Sequence, residues 1–205
     1  MRMQYIFNVK EGIHEYVKLG RHYSFPPPPT KRCHNPKCSK MVHFRKHGFY
    51  ERYYTSWEYR GKIVIRRYIC PLCGCTISYI PHFCLPGFIN ALNHIFEYIY
   101  NSFYRKGSIN SVIKLLNLKY NLQFSRQILY YYRKKFIKNI DAIQNGIRQI
   151  IQGVKLPDET FEDVEKARNV LAIMISEFPD IHFFSQKYYQ ATAKTFLATN
   201  KKSTN

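Results

Sequence analysis

Acidic side chains are scarce in this chain of 205 residues: 13 Asp and Glu stand against 32 Lys and Arg, a formal charge of +19. A field of that sign attracts polyanions. Long apolar runs are missing too. Val170 to Ile175 is short, and Phe88 to Tyr100 is broken by Asn90, Asn93, His94 and Glu97, so neither reaches the roughly 20 apolar residues of a membrane span. Met1 to Lys10 has no long apolar core and no small-residue cleavage site, which argues against a secretory leader. The expectation is a soluble cytoplasmic chain with no membrane partner. In that reducing compartment six cysteines read as metal ligands and buried thiols rather than disulfides.

What is present is a folded composition, 45% apolar and 17% aromatic, too rich in core-forming residues for global disorder. The charge is uneven. Residues 1–75 carry 15 basic and 4 acidic side chains, residues 76–155 carry 11 and 2, and residues 156–205 carry 6 and 7. A polyanion-binding surface therefore belongs to the first three quarters.

Residues 1–29 form an N-terminal segment whose first 25 residues show no clean period. It ends in Pro26 to Pro29, a stiff extended spacer. Residues 30–86 contain two β-rich runs, Val42–Tyr54 and Lys62–Cys70, joined by a turn at Tyr59–Lys62. In the second, Ile63, Ile65, Arg67 and Ile69 alternate with Val64, Arg66 and Tyr68. From Phe88 the period becomes helical through Leu92, Ile95, Phe96, Ile99 and Phe103, with Gly107 as a stop. Ser108 and Ser125 are N-cap residues for two further helices, the last running from Arg126 to about Asn139 with Leu129, Tyr132 and Phe136 turned inward. Residues 140–200 continue as helices. One carries acids from Asp158 in its first turns and an apolar side of Val164, Leu171, Ile175 and Phe178. Residues 201–205 form a polar tail expected to be disordered.

Cys33-His-Asn-Pro-Lys-Cys38 and Cys70-Pro-Leu-Cys73-Gly74 are two close cysteine pairs separated by enough chain for a hairpin. That is the ligand layout of one structural tetrahedral Zn²⁺ ion, held by Cys33, Cys38, Cys70 and Cys73. Four protein ligands leave no open position for hydrolysis. Cys75, Cys84, His34, His43 and His47 are the alternatives that compete for a ligand position, and unconnected buried thiols are the bland reading.

The three helices between residues 87 and 139 fit a helix-turn-helix, in which the third helix enters the major groove. Ser125, Arg126, Gln127, Tyr130, Tyr131, Arg133, Lys134 and Lys135 are its candidate contacts, with Arg45, Lys46, Arg66 and Arg67 of the β-rich region as phosphate contacts. The bland alternative is a helical hairpin with a solvated basic face.

Lys46-His-Gly48 followed by Arg66-Arg-Tyr-Ile-Cys-Pro-Leu-Cys-Gly-Cys-Thr76 resembles the N-terminal zinc ribbons of insertion-sequence transposases and their small orphan relatives. Ser125 to Phe136 is similar to the third helix of the domains that follow such ribbons, with Tyr132 at the place of an aromatic that is usually tryptophan. The first knuckle is wider than in those proteins. The resemblance implies a catalytic domain with three separated carboxylates, and the residues after Phe136 are not expected to form one. Beyond Phe136 it offers Asp141 and seven acids from Asp158 to Asp180, several within a turn or two of each other. No HxH pair and no Ser/His/Asp arrangement stands in for them.

The resulting expectation is an α+β chain: a zinc-ribbon β domain, a helix-turn-helix region and further C-terminal helices. Its role would be that of a non-catalytic, nucleoid-associated protein that binds double-stranded DNA, as an accessory factor, regulator or truncated transposase. The alternatives are a DNA-binding subunit whose transposase catalytic domain is on another chain, and an RNA-binding ribbon. The C-terminal region from residue 140 reads as a homodimerisation or partner-docking element, with plain completion of the core as the equal alternative.

Overall fold

Among the described residues, branched and aromatic residues in alternation form a four-stranded sheet, and stretches of helical period form seven α-helices, a mixed α+β architecture. The computed structural model describes residues 2–157 and 162–198. The tail at 201–205 and the acids Asp158 and Glu159 lie outside them. The chain divides into two units, 1–89 and 90–205, and no helix among the described residues is long and apolar enough to cross a membrane.

In the first unit β1 (Arg2–Phe7), β2 (Arg45–Thr55), β3 (Arg60–Ile69) and β4 (Thr76–Pro81) are ordered β1-β4-β3-β2. β2 and β3 are antiparallel neighbours, as are β3 and β4, whereas β1 runs parallel to β4 from Arg2↔Thr76 to Phe7↔Pro81. The start of the N-terminal segment, which has no readable period, is thus one of the sheet's two edge strands. A register shift between Lys46 and Gly48 interrupts β2, and Gly48 sits at φ +111°, where a side chain would be strained.

Residues paired across strands share a face, so Phe49, Arg66, Tyr79 and Tyr5 lie on one side. α1 (Ile13–Leu19) and a 3-10 turn (Gly20–His22) cover that side with aromatics. Tyr16 packs 4.8 Å from Tyr23, and Tyr68 packs 4.8 Å from Tyr79, centroid to centroid. The Tyr16 hydroxyl donates to the Val64 carbonyl at 2.5 Å and that of Tyr68 to Pro26 at 3.0 Å. The first proline of the run is therefore held to the sheet, while Pro27 and Pro29 are exposed. Tyr16 and Tyr79 are fully buried, each contributing a few kcal/mol by removing a large ring from water.

The second unit consists of α2 (Leu92–Tyr104), α3 (Ile109–Tyr120), α4 (Arg126–Lys138), α5 (Ile140–Ile150), α6 (Asp163–Ser176) and α7 (Ile181–Thr192). Ser108 and Ser125 cap α3 and α4 by accepting from the Ser111 and Ile128 amides. α2 begins at Leu92 rather than Phe88: Gly87 adopts φ +86°, and the Phe88 carbonyl accepts a hydrogen bond from Arg52. The helix ends before Gly107, at Tyr104, where Arg105 turns extended. On α6 the buried stripe is Ala167, Val170, Leu171 and Met174, and Ile175 faces outward at 48% exposure. The expected stripe took Ile175 where the helical register turns Met174 inward.

α3 and α4 meet over Tyr98, Val112, Ile113, Leu116, Leu122, Phe124 and Leu129. Asn121 ends α3 in the left-handed conformation. The Asn117 side chain then fastens the turn. Its Oδ1 accepts from the Phe124 amide at 3.0 Å and from the Tyr98 hydroxyl at 2.5 Å, and its Nδ2 donates to the Phe124 carbonyl at 2.9 Å.

Candidate metal centre

Two backbone turns bring the four paired cysteines together. In the first, Cys33 N–H donates to the Lys40 carbonyl at 2.9 Å, and the Cys38 and Ser39 amides both donate to Asn35 at 2.8 Å. Arg32 and Met41 close this loop as a β-bridge. In the second, Cys70 N–H donates to Cys75 at 2.9 Å and Gly74 N–H donates back to Cys70 at 3.0 Å. The residue after the second cysteine of each pair has positive φ, +45° at Ser39 and +70° at Gly74. The wide loop and the tight one therefore end in the same backbone gesture. Pro36 and Pro71 restrict the intervening chain.

The thiols of Cys33, Cys38, Cys70 and Cys73 lie within 4.8 Å of one another, and Cys33 and Cys73 are 3.5 Å apart. A tetrahedron with metal–sulfur bonds of about 2.3 Å requires sulfurs about 3.8 Å apart. The donor set and its spacing fit a metal ion such as Zn²⁺ with four protein ligands. Cys33 and Cys70 are buried and Cys73 is exposed. Burial pushes the Cys33 thiol up to about 12, whereas the Cys75 backbone amide is the main cause that brings Cys73 down to about 6. A metal would replace the thiol protons, as thiolate coordination requires.

Cys75 and Cys84 are buried and stand outside the group of four, as do the exposed His34, His43 and His47. Burial raises both outlying thiols, Cys84 to about 12. Only a small apolar cluster of Cys33, Val42, Cys70 and Cys75, with Cys38 and Phe44 against it, surrounds the group.

The basic residues of the strands do not form one surface. Arg45 and Lys46 are exposed on β2. Arg66 is 9% exposed with its guanidinium 4.5 Å from the Phe49 ring centre, because the N-terminal segment covers its face of the sheet. Arg67 points from the opposite face, half-buried, over Tyr50 at 5.8 Å.

On α4, Arg126, Gln127, Tyr130, Tyr131 and Lys134 are exposed, and Ser125 is the cap. Arg126 lies along Tyr130, donating to its hydroxyl at 3.1 Å. Two residues expected to face outward do not. Arg133 is half-buried 4.1 Å over Phe103 and donates to the Ser102 carbonyl, and Lys135 is half-buried and reaches the Leu197 carbonyl at 3.5 Å. Their long apolar stems cover helix surface while the heads find carbonyls. Lys138, four residues after Lys134, is exposed on the same arc and is the contact candidate that the sequence reading missed; the i, i+4 spacing is its signal. Asn117 was missed as well, since a lone polar residue within a helix carries no periodic signature.

No family profile, no curated protein and no solved structure matches this chain.

Proposed function

We propose that this protein is a non-catalytic DNA-binding protein, stabilised by one structural Zn²⁺ ion on Cys33, Cys38, Cys70 and Cys73 and presenting α4 to the major groove. The zinc would fix the turns at one end of the sheet and supply no open coordination position. One observation carries the reading: a single contiguous arc of α4 exposes Arg126, Gln127, Tyr130, Tyr131, Lys134 and Lys138 immediately after a capped, clamped turn from α3. Arginine reads guanine edges, glutamine reads adenine, and lysine and tyrosine neutralise or bond phosphate. The net charge of +19 supplies the long-range attraction.

Four of the described acids have structural places, in keeping with a non-catalytic reading. Glu97 pairs with Lys119 at 2.7 Å, Asp163 and Glu165 lie in the first turn of α6, and Asp180 caps α7. A transposase catalytic partner on another chain is the variant of this reading in which nicking is seen only with that partner added.

Titrating the zinc-loaded chain into random-sequence duplex pools over a range of salt tests the proposal. Affinity should fall steeply, with a log–log slope of about −0.9 per phosphate neutralised. Lys134→Ala should reduce that slope by about one, and Arg126→Ala should relax the selected sequence. Absence of duplex binding at low salt would overturn it.

A second reading has its own observation. The β2–β3 hairpin exposes Tyr53 at 63% and Trp57 at 57% near Arg60 and Lys62, aromatics able to stack on unpaired bases. Competition by single-stranded DNA or RNA stronger than by duplex would favour it.

A further inference from the structure

Within the first unit, residues of the 3-10 turn and the following segment face β2 and β3 across a cavity of about 160 Å³. Arg21, Lys46 and Arg66 line it with positive charge, Phe25, Phe49 and Tyr68 line it with rings, and no Asp or Glu is among its lining residues. Its volume is below the roughly 300 Å³ at which whole small-molecule sites begin. That is room for one compact group.

Arg66 is why this cavity is a site. It is 9% exposed, and none of the ion pairs among the described residues includes it. Its polar side-chain neighbour is the neutral hydroxyl of Tyr68. A buried guanidinium without a counter-anion is costly. The rings of Phe49 and Tyr68, 4.5 and 5.5 Å from its carbon, stack on its face. Stacking occupies the guanidinium face and one N–H meets the Tyr68 hydroxyl; with five N–H donors, a guanidinium so placed can still meet an oxyanion in its plane. The Tyr68 hydroxyl donates to Pro26, and the Tyr23 hydroxyl donates to Glu11 at 2.9 Å, so the carboxylate beside Tyr23 already has a protein partner.

We propose that this cavity binds a phosphate monoester, with the Arg66 fork on its oxygens and Arg21 and Lys46 closing over it. Three cations and no acid match a terminal dianion better than a diester carrying one charge, and one tetrahedral group suits the volume. The aromatic rim would pack against the attached sugar. Such a group comes from the 5′ end of a nucleic-acid strand or from a free nucleotide. The site belongs to the sheet and stands without the reading of α4 as a DNA reader.

The test uses the metal-loaded full chain and four probes: a 5′-phosphorylated oligonucleotide, the same strand with a 5′-hydroxyl, a nucleoside 5′-monophosphate and inorganic phosphate. The phosphorylated strand should bind about tenfold tighter than its hydroxyl twin, as expected for added charge-assisted hydrogen bonds. The exposed pair Arg21→Gln/Lys46→Gln should erase that difference without unfolding the chain. Arg66→Lys, which keeps charge but loses the fork, should weaken it. Binding of all three phosphate probes assigns the site to phosphate monoesters in general, and binding of the strand end alone assigns it to nucleic-acid termini; both support it. Equal affinity for the twin strands with no phosphate binding overturns it, as does a difference that survives in the Arg21→Gln/Lys46→Gln chain. Arg126→Ala/Lys134→Ala should lower duplex affinity and leave the 5′-phosphate preference intact, so failure of either proposal is visible separately.

Discussion

The two units reach order by different means. The second is tied together by apolar stripes on its helices, by two serine caps and by Asn117 clamping its own turn. The first has aromatic packing on its sheet, but its cysteine end has little core beyond Val42, Phe44 and the thiols themselves. One half is self-sufficient at the turn that matters. The other, on the reading of its four thiols as a metal site, would leave that job to a ligand, as small cores usually do.

The sharpest way to break this contrast is to remove a ligand. Cys70→Ser, or chelation, should take metal content from one ion per chain to none. Structural zinc is worth about 10–16 kcal/mol in small zinc peptides, comparable with the whole stability of a domain. Amide exchange should become fast around Cys33–Val42 and Cys70–Thr76 while α2–α5 stay protected. Simultaneous loss of helix protection would show that the two units do not hold order independently.

Acid should strike the second unit through His94. It is fully buried, packs 4.6 Å from the Tyr120 ring, and is held down to about 4 by burial and then by Lys119. Its unfolded value is about 6.5, so the unfolded state binds the extra proton between those limits. The stability is fully present above pH 6.5 and is lost as pH falls toward 4, by up to about 3 kcal/mol. Denaturant midpoints of the helical signal should show that decline, and His94→Gln should flatten it.

A smaller effect tests the clamp. Asn117→Ala leaves the Phe124 amide and carbonyl without their side-chain partner, at a cost of about 1–3 kcal/mol, read as a lower Tm. It should also reduce duplex affinity if the α3–α4 angle presents α4. Smallest of all is Lys62→Ala. Its 3.3 Å pair with Glu51 is about half exposed on both sides, so stability should change by less than about 1 kcal/mol.

Local patterns in the sequence reached far into this structure. The pairing of cysteines anticipated which four thiols meet, because two short turns and a hairpin leave few other geometries. Serine caps and the stripe of Leu129, Tyr132 and Phe136 likewise encode their own positions. The parallel pairing of β1 with β4 was not legible, since its partners are distant in sequence and no local period marks them. That hidden strand and the segment after it turned Arg66 from a solvent-facing contact into a buried one. Arg133 escaped for a related reason: its helical position borders the stripe, and contact with Phe103 decides which way it turns.

The parallel edge strand also sets an order of events. β1 is made first, yet its hydrogen-bonding partner, β4, arrives only after roughly 70 further residues, some seconds of synthesis at about 5–20 residues per second. Cys33 and Cys38 emerge in that interval, ahead of Cys70 and Cys73, and the later pair directly precedes β4. Completion of the four-thiol set and docking of the first strand therefore fall at nearly the same moment. Until then the N-terminal strand is an unpaired edge, the state in which chains aggregate. Metal supply during translation, rather than after it, should decide the yield of folded protein.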